Sequence, residues 1–123
     1  NYIGKLKVIV HRSGAACCLR VKTAFEWQLA DGSITKFTTN VPYVFNEEWY
    51  DNRSTDYCVY FMGGDRSGKA KSDTFYLISD FDESKFDVSG VEAGTTVKAL
   101  IEVDAVQTNR YPQLWNIEKL PWE

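Results

Sequence analysis

The segment Gly63-Gly64-Asp65-Arg66-Ser67-Gly68-Lys69-Ala70 comes closest to a chemical motif. It nearly matches the phosphate-loop pattern G-x-x-x-x-G-K-[ST], in which backbone N–H groups cradle phosphates and a hydroxyl holds Mg²⁺. The match fails twice. Ala70 replaces the hydroxyl, and the stretch that follows reads as a strand rather than a helix. Without a helix N-terminus there is no dipole to seat a triphosphate, so nucleotide hydrolysis is not expected. What remains is a polar hairpin tip carrying Arg66, Lys69 and Lys71, three cations able to touch phosphate.

Other chemistry is less well supplied. His11 is the single histidine, and no nucleophile motif such as G-x-S-x-G stands near it, so a structural or exposed role is expected. A zinc site needs roughly four well-spaced ligands, a spacing that His11, Cys17, Cys18 and Cys58 lack. Acids cluster at Glu47, Glu48 and Asp51 and again at Asp80, Asp82, Glu83 and Asp87. Neither cluster has the D-x-[DN]-x-[DN]-G order of a calcium loop. Two carboxylates that met in space could serve a glycosidase, but a solvated acidic face accounts for them more simply. The chain is therefore expected to be non-enzymatic, with no cofactor and no metal.

The aromatic residues carry the stronger signal. Four Trp, seven Tyr and seven Phe make 15% of the chain, a surplus over what one small core needs. Tyr and Trp suit positions where a ring sits half in water. Single-stranded nucleic acid is held by rings that stack bases while Lys and Arg track the phosphates. Rings and cations interleave here in that way. Arg20 and Lys22 precede Trp27, Lys36 precedes Phe37, and Tyr57 and Tyr60 follow. Arg66, Lys69 and Lys71 lead to Tyr76, and Arg110 adjoins Tyr111. A carbohydrate-recognition β domain would use the rings without needing the cations.

The net charge of −3 seems to oppose a phosphate-rich partner. It hides an asymmetry. Residues 1–71 carry ten Lys and Arg against seven acids, and residues 72–123 carry four against ten. Such a split suggests a basic face beside an acidic one.

The elements that would position these residues are mostly strands. From Leu19 to Leu29 one parity reads Leu19, Val21, Thr23, Phe25, Trp27, Leu29, and the other is largely polar. That alternation marks a half-buried strand. Asp31-Gly32 signals a hairpin turn, returning through Ile34 to Thr39. Further strands are expected at Lys5 to Val10 (before a turn at Ser13-Gly14), at Asp56 to Met62 and, as its hairpin partner, at Asp73 to Ser79. A short helix is expected near Glu83 to Phe86, then strands at Thr95 to Thr108 and Gln113 to Lys119. Val41 to Thr55 reads as an irregular loop with one helical turn at Asn46-Glu47-Glu48. The length of 123 residues suits one domain, spanning 1–123. No apolar run reaches the ~18 residues of a membrane helix, and Asn1 to Arg12 lacks the features of a signal peptide. Three cysteines, two adjacent, make a poor disulfide framework, so reduced core thiols and a cytoplasmic location are expected.

The order strand, strand, strand, short helix, strand, strand resembles that of OB-fold single-stranded DNA-binding proteins. Gly94-Thr95-Thr96-Val97-Lys98-Ala99-Leu100-Ile101-Glu102-Val103 resembles the fourth strand of that family, and Asn109-Arg110-Tyr111 with Leu114-Trp115-Asn116-Ile117 its last hairpin. The compact size is similar to that of members from lactococcal and related tailed phages. The resemblance implies a mainly all-β fold, a five-stranded Greek-key barrel with additional strands and one short helix; a β-sandwich is the alternative fold, and a phage structural or carbohydrate-recognition β domain the alternative function. It implies largely sequence-independent binding of single-stranded DNA in phage replication or recombination. The DNA groove would be lined by Tyr57, Tyr60, Arg66, Lys69, Lys71, Tyr76, Arg110 and Tyr111, joined by Arg20, Lys22 and Trp27. A homo-oligomer (dimer or tetramer) and a phage recombinase are the implied protein partners, with no membrane involved.

Overall fold

A computed structural model describes residues 16–72, 74–86 and 92–123, together with the backbone of residues 6–9. His11, the Ser13-Gly14 turn and Asp87 lie outside the described residues. The chain is mostly β, and its larger sheet curls into a half-barrel. Among the described residues no helix is long and apolar enough to cross a membrane.

One strand organises the rest. After β1 (Leu6–Ile9), β2 runs over Cys17–Gln28. Its side chains alternate as expected: Leu19, Val21, Thr23, Phe25 and Trp27 are all buried in the main core. The opposite face carries Arg20, Lys22, Glu26 and Gln28. The turn at Asp31-Gly32 forms as read, with Gly32 at φ +89° and its N–H donating to the Leu29 carbonyl. Asp31 Oδ1 accepts from the Ser33 N–H at 2.9 Å. The chain then returns as β3 (Ile34–Thr38), paired with Phe25–Gln28.

The next stretch differs from the expected loop. It holds β4 (Tyr43–Phe45), β5 (Trp49–Asn52) and the one-turn helix α1 (Arg53–Asp56). Asn46-Glu47-Glu48 forms a turn, in which Asn46 Oδ1 accepts from the Glu48 N–H at 3.0 Å. β6 (Cys58–Phe61) follows and is wholly buried, as its two apolar parities require. It pairs with Arg20–Lys22 of β2 on one edge and with β5 on the other.

That second pairing overturns the expected hairpin between β6 and the strand after the polar loop. β6 has no free edge to offer, because β5 occupies it. β7 (Thr74–Phe81) instead centres a second sheet, ordered β1-β7-β4. The Trp49 indole N–H donates to the Tyr76 carbonyl at 2.9 Å and ties the two sheets together. A single 3₁₀ turn spans Glu83–Lys85, where a short helix was expected. Then β8 (Thr96–Gln107) pairs with β2 along its whole length, from Cys17↔Gln107 to Gln28↔Thr96.

The last expected strand, Gln113 to Lys119, is absent. Its start is the one-turn helix α2 (Tyr111–Leu114), with Pro112 in the first turn, where its missing N–H costs nothing. Asn116 then turns left-handed at φ +55°. This C-terminal segment covers a second, smaller core on the polar face of β2, built on Cys18, Cys58, Tyr60 and Trp115. All three cysteines are free thiols. Cys17 packs against the main core and Cys18 against the small one, so the adjacent pair faces opposite ways. Burial, and secondarily the neighbouring Cys17, pushes the Cys18 thiol up to about 11.

The small core is fastened by polar contacts. The Tyr60 hydroxyl donates to Asp56 at 2.5 Å and accepts from Arg20 at 3.3 Å. Burial first, and then the Asp56 carboxylate, push the Tyr60 phenol up to about 12. The native state thus keeps Tyr60 protonated where an unfolded chain would ionise it. Stability from this group is fully present below about pH 10 and is lost as pH rises toward 12. Tyr60→Phe is expected to cost about 1–3 kcal/mol at pH 7, since it removes one partner from Asp56 and one from Arg20. It should also flatten the alkaline loss of stability. Urea unfolding at pH 7 and pH 11 measures both effects; an equal alkaline loss in the two proteins would remove Tyr60 as its cause.

Candidate functional site

The polar loop between β6 and β7 is built by backbone hydrogen bonds, not by solvent. The Met62 and Gly63 N–H groups both donate to the Glu48 carbonyl, at 2.8 and 2.9 Å. The Gly68 N–H donates to the Met62 carbonyl, and the Ala70 N–H to the Cys17 carbonyl. Asp65 organises the tip: it accepts from the Ser67 N–H and hydroxyl and pairs with Lys71 at 2.9 Å. The Lys71 ammonium, followed by these Ser67 donors, holds the Asp65 carboxyl well below the usual carboxylate range. The glycines of the near phosphate-loop pattern therefore serve the fold. Gly63 and Gly68 have φ of +81° and +73°, conformations that glycine adopts without strain.

This loop brings three of the expected residues together. Lys69, Lys71 and Tyr76 line a groove of about 330 Å³, floored by Phe61 and Phe75 and rimmed by Glu48 and Asp65. Tyr76 is 54% exposed. Arg66 is exposed in the same loop, and its carbonyl accepts the Trp122 indole N–H at 2.9 Å.

A second groove, of about 300 Å³, opens on the polar face of β2. Lys22 and Tyr57 line it with Phe37, Leu100 and Glu102. Tyr57 and Phe37 are 62% and 57% exposed. The Tyr57 ring and Thr39 also wall an adjoining groove of about 470 Å³ that contains Arg53. Arg53 itself is held by Asp51 and by the Val41 carbonyl. Phe37 was missing from the expected site. Its signal lay in the hairpin register: counted back across Asp31-Gly32, Phe37 falls opposite Glu26, on the polar side of β2.

The remaining expected residues stand apart. Trp27 is 2% exposed, stacked against Phe86 and edge-on to Phe25 in the main core. Arg20 lies over the Trp115 ring at 4.6 Å and pairs with Asp104 at 3.4 Å. Asp104 also accepts the Trp115 indole N–H, so Arg20 is a clamp of the small core. Tyr60 is buried beneath it, and Tyr111 packs against the same cluster. Arg110 is exposed at the start of α2.

Backbone strain reaches the grooves at one residue, Tyr57. The non-glycine residues with positive φ among those described are Tyr57, Arg66 and Asn116. At Tyr57 and Arg66 this costs about 1–3 kcal/mol, a cost that clusters at functional positions, whereas asparagine adopts the conformation readily. At Tyr57 the left-handed turn closes α1, with its N–H bonded to the Arg53 carbonyl at 3.1 Å.

A Cβ placed on Gly68 would lie 2.6 Å from Leu120 Cδ1 and 3.0 Å from the Trp122 ring. Gly68→Ala is therefore expected to destabilise the fold by about 2–3 kcal/mol, through both the clash and the left-handed backbone. Thermal unfolding checks this; an unchanged midpoint would show that the C-terminal segment does not pack on the loop. Comparison with protein-family models, characterised proteins and solved structures finds no match to this chain.

Proposed function

We propose that this protein binds single-stranded DNA without catalysis and with little sequence preference. One observation carries the reading. Every exposed aromatic ring among the described residues, Phe37, Tyr57 and Tyr76, lines a groove that also carries lysine. Rings open to solvent stack bases, and each stacked base contributes about 1–3 kcal/mol. Lys22, Lys69 and Lys71 supply phosphate contacts beside them. On this reading the half-barrel around β2 is a rearranged barrel of OB type. Its setting is the handling of exposed strands in phage replication or recombination, and a recombinase is a fitting protein partner. Trp27, Arg20, Tyr60 and Tyr111 serve the fold that carries the grooves, while Arg66 and Arg110 extend the cationic surface.

The binding test is fluorescence anisotropy of a labelled oligo-dT across a salt series. A labelled strand is the better reporter, because Trp27, Trp49 and Trp115 are buried. Binding that weakens steeply with salt is expected. Phe37→Ala, Tyr57→Gly and Tyr76→Ala should each weaken it by roughly 5- to 100-fold, taking one stacked base apiece. Tyr57→Gly should do so with no loss of stability, since glycine relieves the positive φ. Lys69→Ala combined with Lys71→Ala should lower the salt slope by about 1.4, or about 0.7 for each lost phosphate contact. Asp65→Asn removes the carboxylate that pairs with Lys71 and should tighten binding. No retention of oligo-dT at low salt would overturn the reading.

A further inference from the structure

β8 presents an edge as well as a face. Among the described residues it pairs with β2 alone, and none of them takes the other edge of this 12-residue strand. Its apolar side chains are not covered in proportion to those of its neighbour. Val97 and Val103 are 36% and 41% exposed, while their β2 partners Trp27 and Val21 are buried. A long, partly apolar, unpaired edge is a template for another strand.

The residues along that edge specify which strand. Val97-Lys98-Ala99-Leu100-Ile101-Glu102-Val103 is its own complement when read backwards about Leu100. We propose that two copies of this chain associate by antiparallel pairing of β8 with β8, about a two-fold axis at Leu100. Such an interface is isologous, so each contact occurs twice. Lys98 meets Glu102 of the second copy, and Glu102 meets its Lys98. Val97 meets Val103, Ala99 meets Ile101, and Leu100 meets itself.

The cross-strand register inside one chain extends the pattern. Glu26 pairs with Lys98 and Lys22 with Glu102. Across the joined sheets the polar face would read Glu26, Lys98, Glu102, Lys22, alternating in sign over four strands. Opposite charges directly across a ladder are stabilising, and like charges are not. An axis one residue away loses both Lys98–Glu102 pairs. Moving the axis by two residues sets Lys98 against Lys98, or Glu102 against Glu102. A strand from a different protein would have no reason to meet a pattern that is its own complement. The seam borders the groove lined by Lys22, Tyr57, Leu100 and Glu102, and its test is read without DNA.

Analytical ultracentrifugation over a concentration series tests it. The wild type should sediment as a dimer. Leu100→Lys and Leu100→Glu should each weaken self-association by about tenfold or more, because like charges then meet on the axis. An equimolar mixture of the two variants should dimerise again. Far-UV circular dichroism establishes that each variant folds. Leu100→Cys gives a second readout, since facing Cα atoms about 4.5–5.5 Å apart lie within disulfide range. It should form a covalent dimer on mild oxidation, and the wild type, with its own three thiols, is the control. A wild type that stays monomeric at about 100 µM, near millimolar-range affinity or weaker, overturns the proposal. So does a dimer that neither charge variant weakens, or a Leu100→Cys protein that does not crosslink.

Discussion

The structure depends on one strand having neighbours on both edges and a core on both faces. β2 takes β8 along one whole edge and divides the other between β3 and β6. Its odd-numbered side chains seat the main core. Part of its even-numbered face seats the small core under Trp115. Where water is excluded from both sides, a polar group beside such a strand costs free energy unless it is partnered. Arg20 shows the solution. Its guanidinium is placed over an indole, with a carboxylate and a phenol to receive its N–H groups. Lys22, one pleat further along the same face, is left in the open and lines a groove. The boundary between scaffold and surface therefore falls between two cations only two residues apart.

Local pattern made much of this fold legible. The alternation over Leu19–Leu29, the Asp31-Gly32 turn and the long strand ending near Thr108 each depend on neighbours in sequence or on one face of one strand. What was not legible is pairing at a distance. Nothing within Asp56–Met62 announces that Trp49–Asn52 takes its edge, yet that choice sends β7 to another sheet. The segment after Pro112 holds apolar residues at strand-like spacing, but Trp115 and Leu120 are buried against other elements rather than in a ladder. Tertiary burial decided those conformations, and periodicity does not encode it.

The candidate site divides in the same way. Interleaved rings and cations pointed to stretches that form grooves, which Lys22, Tyr57, Lys69, Lys71 and Tyr76 line. Residue type alone could not separate Trp27 from Tyr57, since both are aromatic residues near lysine. The hairpin register separates them: Trp27 has core parity, and Phe37 and Tyr57 flank the polar face. Acidic neighbours were equally invisible, and Asp65 holds Lys71 through a loop whose shape depends on Gly68.

The pairing of β2 with β8 also sets the order in which the molecule can assemble. Gln28 reaches across most of the chain to Thr96, and Cys17 farther still to Gln107. Closing such a loop costs entropy before any contact repays it. The hairpin of β2 with β3 can form early, from residues that leave the ribosome together. The long ladder must wait for the last third of the chain. Until it arrives, the edge of the central strand is bare and the core is open on one side. A chain of this size dominated by such distant pairings belongs among the slower folders, with times in the millisecond-to-second range. Its vulnerable period is synthesis itself, when β2 waits for β8 and any other extended segment could take its place.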